Sequence, residues 1–195
     1  MNGRHSAYQE GSLKIIERKF LKYTEIIKLS WVFVNKGEEF MEKKLKFRIA
    51  TEQDLDRIVE MLADDELGRM RERYEQPIPE SYIKAFRAIT ADPNNELIVA
   101  CQGNEVIGVQ QITFTPYITH QGEWRATIEG VRTASSVRGK GVGTELIKWA
   151  IHRAQERGCH LIQLTTDKQR VDALRFYERL GFQSTHEGLK MKLDR

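Results

Sequence analysis

The stretch Arg138-Gly139-Lys140-Gly141-Val142-Gly143-Thr144 alternates glycines with two cations immediately before an apolar-periodic run, Val142, Leu146, Ile147, Ala150, Ile151 and Ala154. Such a run predicts a helix. Glycines remove the Cβ atoms that would hold a ligand off the backbone, and the first N–H groups of a helix have no internal acceptors. Those groups carry about half a positive charge between them, so a phosphate or diphosphate is the expected guest. Arg138 and Lys140 add fixed charge of the right sign, and residues 138–144 are the candidate anion contacts. A Walker loop requires Ser or Thr after its lysine, where this chain has Gly141. A dinucleotide fingerprint requires a glycine where this chain has Leu146, and it follows the first strand of a βαβ unit. Neither fits.

Downstream, Ala173-Leu174-Arg175-Phe176-Tyr177-Glu178-Arg179-Leu180-Gly181-Phe182 forms a second motif. Arg138, Gly141 and Gly143 match the signature Arg/Gln-x-x-Gly-x-Gly/Ala of the GNAT family of N-acetyltransferases, and the second motif resembles that family's A-x-x-F-Y-x-x-x-G-F run. The resemblance covers residues 45–193. It implies a splayed, mostly antiparallel mixed α/β sheet with acetyl-CoA wedged between two strands, its pantetheine arm pairing with the backbone of Val131, Arg132 and Thr133. It also implies that Tyr177 lies near the cofactor sulfur. The family often has Asn seven residues before this tyrosine; here that position is Arg170. With Lys168 beside it, Arg170 either reaches a cofactor phosphate or is a solvated charge.

The chemistry places its own demands on the residues. A primary amine of pKa about 10.4 is neutral in only about one molecule in 2,000 at pH 7, so attack on a thioester needs a base or a desolvated site. Glu129 shares strand parity with Val131 and Thr133, so all three are expected on one sheet face. It is the candidate base, acting directly or through water; the alternative is a carboxylate paired with Arg125 or Arg132. The departing thiolate needs a proton, which a tyrosine can give, and Tyr177 is the candidate acid.

These residues need a frame. Strands are expected over 45–50, 97–101, 106–114, 127–133 and 160–166, with a closing strand region from Phe182 onward. Helices are expected over 52–62, 81–89, 141–156 and 171–180, the first introduced by Thr51-Glu52-Gln53-Asp54, a capping pattern. Gln102-Gly103-Asn104 turns one strand into the next. The order β-α-α-β-β-β-α-β-α-β describes a mixed α/β fold.

Composition bounds the rest. The 195 residues suit one domain plus an appendage, and 40% hydrophobic with 30% charged residues describes a globular chain. A net charge of +3 is too balanced for a nucleic-acid footprint, and no apolar run reaches the roughly 20 residues of a membrane span. Cys101 and Cys159 cannot build a disulfide framework and suit a reducing, cytoplasmic setting. Cys159 and His160 are adjacent, so they point to opposite faces of a strand and make a poor dyad. His5, His120, His152, His160 and His186 show no metal-ligand spacing, and no metal is expected. His120, Tyr117 and Trp124 on one side and residues 75–79 on the other are candidate walls for an acceptor: a small-molecule or peptide amine.

Residues 1–40 fall outside this frame. Positions 13–34 carry a helix-like apolar period, yet Met41 precedes a complete first strand and helix, and residues 36–41 are what a purine-rich bacterial ribosome-binding site would encode. A translated leader over 1–40 before an acetyltransferase domain over 41–195 is the expectation. The rival to an enzyme is a non-catalytic acyl-CoA-binding or sensing domain. A homodimer is compatible with the sequence and not required by it.

Overall fold

The computed structural model describes residues 45–193. The expected leader and its helical period lie outside the described residues, as do the positions of His5 and Met41. Arg48 and Asp54 anchor the start of the fold. Asp54 accepts from the Thr51 N–H (2.7 Å) and hydroxyl (2.9 Å) and from both Arg48 terminal nitrogens (2.6 and 2.8 Å), closing the expected capping box. A 3₁₀ turn, Glu52–Asp54, then leads into α1 (Leu55–Ala63), whose Leu55, Ile58, Val59 and Met61 are buried.

The sheet has five strands in chain order: β1 (Lys46–Ile49), β2 (Asn95–Gln102), β3 (Glu105–Pro116), β4 (Trp124–Thr133) and β5 (Cys159–Leu164). The first four pair antiparallel, and β5 joins β4 in parallel. Between β1 and β2 run α1, the short α2 (Glu66–Arg69) and α3 (Glu80–Ala91); α4 (Val142–Glu156) crosses from β4 to β5, and α5 (Val171–Arg179) follows β5. The mixed α/β, mostly antiparallel sheet matches the expectation, with every expected element through residue 180 present within a few residues. Two one-turn pieces, α2 and the turn Thr119–Gly122, were not foreseen; both are too short to show a period.

The closing strand is a correction. Among the described residues no strand follows α5, and β5 is the edge of the sheet. Phe182 packs edge-to-face on Tyr177, but residues 183–188 contain no apolar side chain, and Leu189, Met191 and Leu193 stay 81–95% exposed. Leu189, Met191 and Leu193 alternate as a strand would, but the face that they share packs on nothing.

Layers follow from parity. Ile112 and Phe114 of β3 and Ala126 and Ile128 of β4 pack with Ile147, Ala150 and Ala154 of α4 in one core. Gln110, on the same face, donates to Leu146 O (2.9 Å). The opposite face of β3, represented by Val109 and Gln111, belongs to the layer of α1.

Candidate active site

The site is organised by one irregularity in β4. Val109 pairs with Arg132 and Gln111 with Glu129, so Gln110 alone opposes both Gly130 and Val131. This is a β-bulge, and Gly130 at φ 61° adopts the left-handed conformation that glycine accepts without strain. Directly opposed residues share a face. Glu129 and Arg132 therefore project with Gln111 and Val109 toward the α1 layer, whereas Thr133 lies with Gly108 on the α4 side. The expected shared face of Glu129, Val131 and Thr133 is corrected: the extra residue reverses the alternation between Glu129 and Thr133.

Beyond the bulge β4 and β5 part company. Their parallel ladder ends at Ile128 and Leu164, so the β5-side edge of residues 129–133 continues past the last paired residue of β5. An extended chain entering this opening meets backbone groups of Val131, Arg132 and Thr133, which is where the pantetheine arm was expected. Arg132 Nη1 already donates to Val131 O at 2.8 Å.

The glycine turn sits at the end of this opening. A 3₁₀ turn, Ser135–Val137, leads to Gly139 and Gly141, at φ 76° and 86°, and Gly141 caps α4. A Cβ built at either glycine meets nothing within 4 Å, so the backbone is open to a ligand; Gly143 is backed by Phe176 Cζ (3.5 Å) and Thr133 Cγ2 (3.9 Å). Val142 is buried beneath the turn, and Thr144 lies in the first turn of the helix. These residues fit a diphosphate: open glycines, unpaired helical N–H groups and neighbouring cations. Arg138 does not point its charge outward alone; its Nη2 donates to Asp64 O (2.8 Å) and Oδ2 (2.9 Å), fastening the end of α1 to the glycine turn.

Asp65 makes the second link. It accepts from Gly68 N (2.5 Å) as the cap of α2, pairs with Arg170 Nη2 at 2.6 Å and lies 3.6 Å from Arg132 Nε. One carboxylate thus joins arginines from both sides of the parted strands. Burial pushes the Asp65 carboxyl upward, but the Gly68 N–H, Arg170 and Arg132 outweigh it and hold the pKa below the ordinary value. Arg132 shows the reverse: burial lowers its pKa, Arg170 and Arg71 lower it further, and Asp65 offsets this in part. Its Nε is buried without a hydrogen-bond partner.

Tyr177, half-buried on α5, feels the same group. Burial raises its pKa above the ordinary tyrosine value, the Arg132 and Arg170 charges pull it down, and the Glu129 charge pushes it up. The net rise keeps the phenol protonated at neutral pH. Tyr177, Glu129, Arg132 and Arg170 therefore act on one another electrostatically, although they come from β4 and from both ends of the α5 segment. Asp65 and Arg71 were missed in the sequence. An Asp before a helical turn is a readable cap, but its partner lies 105 positions away.

Other candidates fall elsewhere. His120 stacks at 5.5 Å on His160, whose Nδ1 lies 2.7 Å from Trp124 O, at the opposite end of β4 from Arg132. Tyr117 carries the Arg125 guanidinium over its ring. Cys101 and Cys159 are free thiols, and burial raises the pKa of each, away from a reactive thiolate. Among the described residues no cluster of His, Cys, Asp and Glu could hold a metal, and no helix is long and apolar enough to cross a membrane. A cavity of about 530 Å³ opens between α1, α2 and the residues that follow β4, lined by Arg57, Asp64, Arg69, Tyr74 and Ser135 among others, but not by residues 138–144, Glu129 or Tyr177.

A parted sheet, a glycine turn capping a helix and a half-buried tyrosine on the helix that follows make a candidate site for acyl transfer. The sequence pattern of the acetyltransferase (GNAT) family matches residues 56–182, and the chain belongs to that family. It is an N-acetyltransferase. The aminoalkylphosphonate N-acetyltransferase of Salmonella typhimurium is 28% identical over 141 residues, 72% of this chain and 86% of that protein. A crystal structure from Bacillus halodurans, named a transcriptional regulator, is 67% identical with a TM-score of 0.75, covering 76% of this chain and 99% of that one. A predicted acetyltransferase from Clostridium acetobutylicum, crystallised with acetyl-CoA, is 23% identical with a TM-score of 0.59 and shares the fold over 76% of this chain and 96% of that one.

Proposed function

We propose that the protein moves an acetyl group directly from acetyl-CoA to the primary amine of a small molecule, with Glu129 as base and Tyr177 as acid, in a reducing cytoplasm. The observation that carries the reading is the parting of β4 and β5 after Ile128 and Leu164 next to the glycine turn that caps α4, with Tyr177 half-buried on α5 within electrostatic reach of Arg132, Arg170 and Glu129. Acetyl-CoA supplies an activated acetyl thioester and a thiolate leaving group. The turn at residues 138–144 holds the diphosphate, and the backbone of residues 131–133 aligns the arm. Glu129 accepts a proton from the substrate ammonium, directly or through water, and the neutral amine that results attacks the thioester carbonyl. As the C–N bond forms and the C–S bond breaks, Tyr177 gives its phenolic proton to the sulfur; the second proton leaving the acylated nitrogen restores the phenol through solvent, and the proton held by Glu129 passes to solvent. Among the relatives, the Salmonella enzyme is named for a small amine, which supports a small acceptor over a peptide.

The test is thiol release from acetyl-CoA with a panel of amines, comprising polyamines, aminoglycosides, aminoalkylphosphonates and peptides. Amine-dependent release above hydrolysis supports the reading; acetyl-CoA binding with no release for any amine overturns it. That second outcome favours an acyl-CoA sensing domain, a reading for which the name of the Bacillus halodurans relative speaks.

A further inference from the structure

Two arginines beside the gap share one carboxylate, and a third lies within electrostatic reach of them. Arg132 and Arg170 converge on Asp65, and Arg71, tied by its Nε to Leu67 O (3.1 Å) at the end of α2, adds its charge to theirs. Two guanidinium groups share one carboxylate, the exposed Arg71 acts on Arg132 from further out, and the Glu129 charge reaches Tyr177 in the same space. Like charges gathered at a partly buried place are held there at a cost unless an anion completes the set. Arg132 Nε points the same way: it is buried, lies 3.6 Å from the nearest Asp65 oxygen and has no hydrogen-bond partner. Guanidinium groups match the oxygens of phosphonates, phosphates and carboxylates in pairs.

Which substrate brings the anion follows from the bulge. The diphosphate cradle is at the start of α4, next to Thr133 and Gly143, on the α4 side of the sheet. Arg132 leaves the strand on the opposite face, with Val109, toward Asp65 and α2. The backbone cradle and the Arg132 side chain therefore lie on opposite faces of β4, although Arg138 of the turn reaches across to Asp64, and Arg132 is on the side of Glu129, the candidate base. We propose that Arg132, Arg170 and Arg71 bind an anionic group on the acceptor, so that the substrate class is a primary amine carrying a phosphonate, phosphate or carboxylate a few bonds from its nitrogen. The proposal rests on the acetyltransferase reading and narrows it.

The experiment measures kcat/KM with saturating acetyl-CoA for 2-aminoethylphosphonate, phosphoethanolamine, β-alanine and the uncharged n-propylamine. A preference of tenfold or more for any anionic amine over n-propylamine is expected, and the best of the three identifies the anion. Less than tenfold for all three overturns the proposal while leaving the acetyltransferase reading intact. No transfer to any of these or to the wider amine panel removes both. Arg170→Gln and, separately, Arg71→Gln should reduce the anionic-to-neutral ratio at least tenfold, by raising KM for the anionic amine more than KM for acetyl-CoA. An unchanged ratio in both variants, or a rise confined to the acetyl-CoA KM, overturns it. The ratio is internal to each variant, so partial loss of folded protein does not affect the result.

Discussion

Glu129 and Arg132 stand three residues apart on β4 yet project from the same face of the sheet, because Gly130 and Val131 together oppose the single residue Gln110. In a regular strand that spacing would put them on opposite faces. The bulge thus brings a candidate base and a cation to one side of the gap and leaves Thr133 on the other side to back the glycine turn.

Gly130→Ala tests this directly. A Cβ there meets no neighbour within 4 Å, so the penalty is conformational, about 1–2 kcal/mol for a left-handed alanine. Denaturant titration should show that loss. The acetyl-transfer rate should fall further than the loss of folded protein explains, because a strand that relaxes the bulge rotates Glu129 or Arg132 away. Full activity per folded molecule would show that the bulge does not align the site.

Tyr177→Phe removes the phenolic proton and keeps the ring that packs on Phe176 and Phe182. Steady-state kinetics should show kcat down by about 10²-fold or more, the usual scale of general acid catalysis, with KM for acetyl-CoA changed about twofold or less. Unchanged kcat removes the assignment.

The pH dependence follows from the direction of the Tyr177 shift. An acid must be protonated to act, and burial raises this phenol above the ordinary value of about 10. The rate should therefore persist through pH 10 and fall only as pH rises through the raised pKa. A kcat–pH profile of the wild type should show this alkaline limb, and the Tyr177→Phe profile should lack it.

Much of the arrangement was legible in advance, for identifiable reasons. The glycine turn and α4 announce themselves because an apolar 3.6 period begins where the glycines end, and the hairpin between β2 and β3 follows from Gln102-Gly103-Asn104. The face of Glu129 was misread although Gly130, an isolated glycine inside a strand, is the usual mark of a bulge. Asp65 was not legible as a site residue. Its partners Arg132 and Arg170 meet it only after the helices have folded over the sheet, and neither local propensity nor periodicity encodes that meeting.

Acid stability offers a check away from the site. The Arg48 hydrogen bonds, with those from Thr51, outweigh desolvation and lower the Asp54 pKa from 3.8 to about 2. The native state therefore releases this proton more readily than the unfolded chain. The stabilisation is full above about pH 4–5 and is lost as pH falls through 2. Arg48 is 43% exposed, so the pair contributes about 1–2 kcal/mol after screening. Asp54→Asn should lower stability by that amount at pH 7 and flatten its decline between pH 4 and pH 2, measured by urea denaturation. An unaltered acid slope would show that another carboxylate governs it.

The gap also lies at the sheet's one parallel joint. Strands β2, β3 and β4 follow one another in sequence and close through short connections, whereas β5 reaches β4 only after the whole of α4 has crossed over. Pairing across such a crossover meets the larger loop-closure cost, so the hairpins can assemble without waiting for it. A refolding chain should accordingly recover most of its strand signal before it regains any grip on coenzyme A, and the interval between those two events times the docking of the final strand.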